Sequence, residues 1–108
     1  IAEAGRRLKR QLSARALLVT RGPRGMTLLE SRRRPAHVPA FGDDEVIDVT
    51  GAGDTVIATF TAARATGASW REAAELANVA GGLVVQKKGT ATVSAGELAD
   101  ALREGWDA

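Results

Sequence analysis

Residues 48–60 read Asp48-Val49-Thr50-Gly51-Ala52-Gly53-Asp54-Thr55-Val56-Ile57-Ala58-Thr59-Phe60, and this stretch separates two kinds of pattern in the chain. Ahead of it lie short apolar runs; behind it lie helical periods. From Gly53 to about Thr66 the spacing predicts a helix, with Val56, Ile57, Phe60 and Ala63 on one side. Gly67 is its natural stop. Ser69 and Glu72 have capping-box spacing and open a second helix that runs to about Gln86, where Lys87-Lys88-Gly89 ends it. Ser94 and Glu97 repeat that signature before Leu98 and Leu102, which predicts a last helix.

Working back from the glycine turn, Val46-Ile47-Asp48-Val49 reads as a short strand or extended lead-in. His37-Val38-Pro39-Ala40 reads as an edge strand, because Pro39 cannot donate to a ladder. Met26–Glu30 is a strand followed by the polar turn Ser31–Pro35, and the loop Arg21–Gly25 precedes it. Ala16-Leu17-Leu18-Val19-Thr20 has the continuous apolar character of a buried parallel strand. Residues 3–12 place Ala4, Leu8 and Leu12 at helical spacing among basic residues, an amphipathic helix. Strand–loop–strand units followed by successive helices indicate the second half of an α/β sandwich.

Composition narrows the function classes. The chain has 108 residues, enough for one domain or part of one, and the start at Ile1 leads us to expect an upstream portion. An apolar share of 44% argues against disorder. There is no cysteine, so disulfides and thiolate chemistry are excluded, and the single His37 cannot build a histidine metal cluster. Fifteen basic residues face thirteen acidic ones for a net charge of +2, although the pI is about 9.7. The basic excess sits in Arg6–Arg10 and Arg32–Arg34, and none of Phe41, Phe60, Trp70 and Trp106 lies within those runs. Nucleic-acid binding by basic residues and stacking aromatics is therefore not expected, and Arg32–Arg34 reads as a solvated turn. No signal peptide or membrane-spanning stretch is visible, which leads to an expectation of a cytoplasmic protein without membrane partners.

The glycine turn carries the chemistry. Small residues at 51–53 let the backbone turn sharply and let a ligand approach the peptide N–H groups. The free N–H groups of a helix's first turn and its positive dipole end form an anion site. Two readings are open at this point: a tight entry turn with Asp54 as a dipole-stabilising residue, or a phosphate cradle with Asp54 as general base for phosphoryl transfer.

Residues 48–55 resemble the C-terminal signature of the ribokinase-like (PfkB-type) carbohydrate kinases. Three further segments resemble the family in order and spacing: Val19-Thr20-Arg21-Gly22-Pro23-Arg24-Gly25-Met26, Ala73-Ala74-Glu75-Leu76-Ala77-Asn78, and Lys87-Lys88-Gly89-Thr90-Ala91-Thr92-Val93-Ser94. The resemblance covers nearly the whole chain. Within the family it points to the branch that phosphorylates D-glycero-β-D-manno-heptose 7-phosphate, through Val49, Thr55-Val56-Ile57 and Gly89–Ser94. Gln86 and Lys88 depart from that branch, which often has glycine and an apolar residue there.

The resemblance implies the C-terminal, nucleotide-binding and catalytic part of a three-layer α/β/α sandwich, with the sugar-binding part and lid upstream. By similarity, Asp54 would deprotonate the C1 hydroxyl of the sugar, which attacks the γ-phosphorus of ATP. Gly51, Ala52 and Gly53 would donate backbone N–H groups to the phosphoryl oxygens. Thr20, Gly22 and Gly25 would border the nucleotide, and Asn78 would lie near its adenosine. Mg²⁺ would bridge the phosphates, largely through water. Asp48, Thr50, Gly89 and Ser94 fall where some relatives bind a monovalent cation such as K⁺, and each also has a structural use as a brace, helix stop or N-cap. The implied partners are ATP and a phosphorylated sugar, with a homodimer of the full-length protein.

Other readings remain. A ribose, fructose or ketodeoxy sugar acid kinase would share these motifs, and a silent nucleotide-binding module would share the fold, although it could dispense with Asp54. A dinucleotide-binding oxidoreductase would need Gly-x-Gly-x-x-Gly, and Val56 stands where its third glycine belongs.

Overall fold

The structure, a computed structural model, describes residues 1–41, 51–85 and 93–106. The elements in chain order are α1 (Ala2–Gln11), β1 (Ala16–Thr20), β2 (Met26–Glu30), β3 (Ala36–Val38), α2 (Ala52–Ala65), α3 (Trp70–Val85) and α4 (Ala95–Trp106). The lead-in strand expected at 46–49 and the helix stop at 87–89 lie outside the described residues.

The three strands form a meander in the order β1-β2-β3, with both pairs antiparallel. Thr20 pairs with Met26 and Ala16 with Glu30, while Met26 pairs with Val38 on the other side. This corrects the parallel reading of β1. Only Arg21–Gly25 separates the two strands, and a parallel return needs a crossover of roughly a dozen residues or more. The loop instead closes as a hairpin containing a short 3-10 turn at Gly22–Arg24, with the Arg21 N–H donating to the Gly25 carbonyl at 2.8 Å. Nor is β1 fully buried. Ala16–Val19 are half-covered and Thr20 is exposed, because the strand has a paired neighbour on one edge only among the described residues. The third strand ends at Val38, one residue before Pro39.

Strand β2 is the buried centre. Met26 and Leu28 join Val38, Val56, Ala74 and Ala77 in one core cluster, against which Leu18, Phe60 and Trp70 pack. Leu29 points to the opposite face and sits against Gly5 of α1, where a methyl group would collide with it. One face of the sheet thus meets α1 and the other meets α3, with α2 stacked on α3. That is why residues 26–29 are apolar or buried throughout rather than alternating.

Helix α2 buries Val56 and Ala63 and half-buries Phe60, the i, i+4, i+7 stripe expected of one helix face. Ile57, assigned by its spacing to the same side, is instead 67% exposed, since one residue's step turns it about 100° away from Val56. Helix α3 presents Ala73, Ala74, Ala77 and Ala80, all nearly inaccessible, and these small side chains let neighbouring elements approach closely. At the α2–α3 junction, Gly67 takes φ 99° and a Schellman motif forms: Ala68 N–H donates to the Ala63 carbonyl and Gly67 N–H to that of Arg64. Trp70 packs on Phe60 with centroids 6.1 Å apart, and the Arg64 guanidinium lies 3.7 Å from the Trp70 ring centroid. Among the described residues no helix is long and apolar enough to cross a membrane.

Candidate functional site

The first turn of α2 holds four of the candidate residues. Gly51 is its N-cap in the left-handed conformation, φ 80°, a region that glycine enters without the steric penalty of a Cβ. Its carbonyl accepts the first intrahelical bond, from Thr55 N–H at 3.0 Å. The amides of Ala52, Gly53 and Asp54 precede that bond in the ladder, and no side chain caps them. Gly53 is exposed, and a methyl group on it would meet nothing within 4 Å. Asp54 is the third helical residue, is exposed, and has no hydrogen-bond or ion-pair partner among the described residues. Among the described residues, amides without partners, open space over a glycine and a carboxylate without a partner therefore occur together on one helical turn.

Behind that turn stands α3. A methyl group on Gly81 would lie 2.8 Å from Val56 Cγ2 and 4.0 Å from the Ala52 carbonyl oxygen, so the absence of a side chain lets α2 begin close against α3. On the adjacent residue, a methyl group on Gly82 would come within 2.5 Å of the Phe41 carbonyl oxygen and 2.9 Å of its ring. Asn78 is buried and donates from Nδ2 to the Pro39 carbonyl at 2.7 Å. Gly25, at φ 86°, abuts the backbone of Val38, Pro39 and Ala40, where no Cβ fits. The stretch 38–41 is thus held between the β1–β2 loop and α3, and it joins the surroundings of Gly25 to those of Asn78.

The remaining candidates that the structure describes sit apart from the first turn of α2 in sequence. Gly22 sits at φ 56°, where an added methyl group would meet nothing within 4 Å, and Thr20 is exposed at the end of β1. Ser94 caps α4: its Oγ accepts from Glu97 N–H at 3.1 Å, while its own N–H donates to Glu97 Oε1 at 3.2 Å. Asp48, Thr50 and Gly89 lie outside the described residues. Among the described residues no three His, Asp or Glu side chains cluster as a metal site. The donors on the first turn of α2 are amides, which suit an anion such as a phosphate rather than a directly bound cation. The sequence reading passed over Gly81 and Gly82. A glycine pair inside a helical period is the signal that could have found them, since it usually has a packing reason.

The profile of the pfkB family carbohydrate kinases matches residues 1–96. Bifunctional protein HldE of Nitrosococcus oceani is 54% identical over 98 residues, covering 91% of this chain and 20% of that protein. The chain therefore spans about a fifth of the length of this curated relative. Ribokinase of Arabidopsis thaliana, solved with ribose and ATP, superposes with a TM-score of 0.84 at 28% identity over 94% of this chain and 33% of its own. A ribokinase II of Escherichia coli, solved with ATP and Mg²⁺, superposes with a TM-score of 0.76 at 27% identity, covering 84% and 30%. The layers described above are part of a ribokinase-like α/β fold. With its profile matched over residues 1–96 and its elements superposing on solved sugar kinases, the chain belongs to the pfkB family of carbohydrate kinases.

Proposed function

We propose that the protein carrying these residues transfers the γ-phosphoryl group of ATP to a sugar hydroxyl, with Asp54 as the general base. The observation that carries this reading is the pairing of a free, exposed carboxylate with uncapped amides on the first turn of α2. Bound ATP supplies the phosphoryl group. The amides of Ala52 and Gly53 meet the negative charge that develops on its oxygens, aided by the positive end of the helix dipole. Gly51 sets the turn, and Gly53 leaves room for the approach. Asp54 takes the proton of the attacking hydroxyl at a carboxylate oxygen, which raises the oxygen's nucleophilicity as it meets phosphorus. Thr20, Gly22, Gly25 and Asn78 border the nucleotide, and a Mg²⁺ ion bound with the nucleotide would supply charge neutralisation of the phosphates. A K⁺ ion at Asp48, Thr50, Gly89 and Ser94 would have to share Ser94 with the cap of α4, whose Glu97 N–H donates to Ser94 Oγ.

For the acceptor we propose C1 of D-glycero-β-D-manno-heptose 7-phosphate, giving the 1,7-bisphosphate, a precursor for ADP-heptose and lipopolysaccharide. Support comes from the 54% identity to an HldE protein and from the Gly89–Ser94 motif. We place the reaction in the cytoplasm, where ATP is plentiful, and assign the sugar-binding part to residues beyond this chain, so that these 108 residues alone do not turn over.

The test is an ATP-consumption screen of the full-length protein against phosphorylated heptoses, pentoses and hexoses, with Asp54→Asn alongside. Heptose-phosphate-dependent consumption that the variant abolishes supports the reading. Turnover on ribose with none on heptose phosphate overturns the acceptor. Activity retained by Asp54→Asn removes the base.

A further inference from the structure

At the end of the sheet away from the Arg21–Gly25 loop, three elements bring cations together: Arg6, Lys9 and Arg10 from α1, Arg32–Arg34 from the β2–β3 turn, and Arg71 from the first turn of α3. These are seven of the chain's fifteen Lys and Arg residues, although the whole chain carries a net charge of only +2. They line two open clefts of about 320 and 290 Å³ that share Glu30 and Arg33. Arg71 pairs with Glu75 at 2.9 Å and Lys9 donates to Ser31 Oγ at 2.7 Å. Arg6, Arg10, Arg32, Arg33 and Arg34 are exposed and have no ion-pair partner among the described residues. Arg32 is held at φ 63°, a left-handed conformation that is unfavourable for a side chain of this kind. Like charges crowded on one turn repel one another, and an anionic partner would relieve that repulsion.

We propose that this surface docks an acidic peptide segment of a partner protein. Six of the seven cations are arginines, whose planar forks bind carboxylates in pairs of parallel hydrogen bonds. Two clefts in series through Arg33 suit an extended chain better than one compact phosphate. Glu30, standing between them, would repel a continuous run of phosphates, but it accepts a backbone N–H or hydroxyl from a peptide that carries its carboxylates on either side. No aromatic residue lines either cleft, so the stacking that supports single-stranded nucleic-acid binding is missing. The proposal is independent of the kinase reading, because none of these residues belongs to the α2 turn or the β1–β2 loop.

The experiment uses the full-length protein and a short fluorescein-labelled peptide of alternating Glu and Ser, read by anisotropy at low and high salt. Duplex DNA and inorganic polyphosphate serve as competitors. The expected result is saturable binding that weakens with salt and falls about tenfold or more in Arg33→Glu/Arg34→Glu. Arg103→Glu on α4 should leave it unchanged. All three side chains are exposed, so circular dichroism should report folded variants. No binding, equal binding by the Arg33/Arg34 variant, or displacement by DNA or polyphosphate at lower concentration than by unlabelled peptide would each overturn the proposal.

Discussion

Helices α2 and α3 begin in opposite ways. At the start of α3, Ser69 N–H donates to Glu72 Oε1 at 2.8 Å and Glu72 N–H donates to Ser69 Oγ at 3.0 Å, so the end is closed by its own side chains. At the start of α2 stands Gly51, which has no side chain to offer, followed by Ala52 and Gly53, which have none that can cap. A side-chain cap is worth about 1 kcal/mol over alanine but only roughly a few tenths over glycine, so α2 forgoes little by opening on Gly51. Its start is seated from behind, where the missing side chain of Gly81 lets Val56 and Ala52 of α2 lie close against α3. The start of α2 thus carries no side-chain cap, and the packing that seats it lies on another helix.

The largest effect expected from breaking this contrast is on turnover. Asp54→Asn in the full-length protein should lower sugar-dependent ATP consumption by roughly 10²–10⁴-fold. Its thermal midpoint should hardly move, since the side chain is exposed and unpaired among the described residues. A matched fall in stability and activity would show that Asp54 serves the helix rather than the reaction.

The glycines sharpen the comparison. Gly82→Ala drives a methyl group into the Phe41 backbone and should destabilise by about 1–3 kcal/mol in denaturant titration. Gly81→Ala meets only the end of the Val56 side chain, which can rotate, and should cost less. Gly53→Ala places its methyl group in open space on a helix and should leave stability equal or raise it by about 0.5–1 kcal/mol. If the open start receives a phosphate, the same change should weaken ATP binding, measured by titration calorimetry. Unaltered affinity would detach Gly53 from the site.

What the sequence disclosed follows the range of the interactions. The two capping boxes and the Gly67 stop are settled within six residues, so Ser69, Glu72, Ser94, Glu97 and Gly67 could be placed by spacing alone. The hairpin of β1 and β2 is also encoded locally, because the length of the Arg21–Gly25 loop forbids a parallel return, whereas the apolar run at 16–20 alone suits either pairing. The spacing places Ile57 on the wrong side, because apolar character does not say which of two adjacent helical residues meets a neighbour. The bond from Asn78 to Pro39 and the seats of Gly81 against Val56 and Gly82 against Phe41 join residues 39, 25 and 41 positions apart, and no local pattern encodes which elements come that close. For the candidate site, the residue types were legible, but the openness of the turn over Gly53 and Asp54 was not.

The smallest effect belongs to the closed start of α3, and it carries a sign. The Ser69 backbone N–H, and then its hydroxyl, hold the Glu72 carboxyl below the ordinary glutamate value. A carboxylate depressed in the folded state stabilises fully above its unfolded value, and that contribution is lost as pH falls through the folded one. Ser69→Ala removes the side-chain half of the box and should cost about 1 kcal/mol near neutral pH. Glu72→Gln keeps an acceptor for the Ser69 N–H but no longer titrates, so it should flatten the acid limb of the stability curve while changing the neutral value little. Neither variant should alter ATP affinity, because neither touches the turn at Gly51–Asp54. If Ser69→Ala weakened nucleotide binding as strongly as Gly53→Ala, the two starts would be coupled through the body of α3, and the open turn would depend on the closed one.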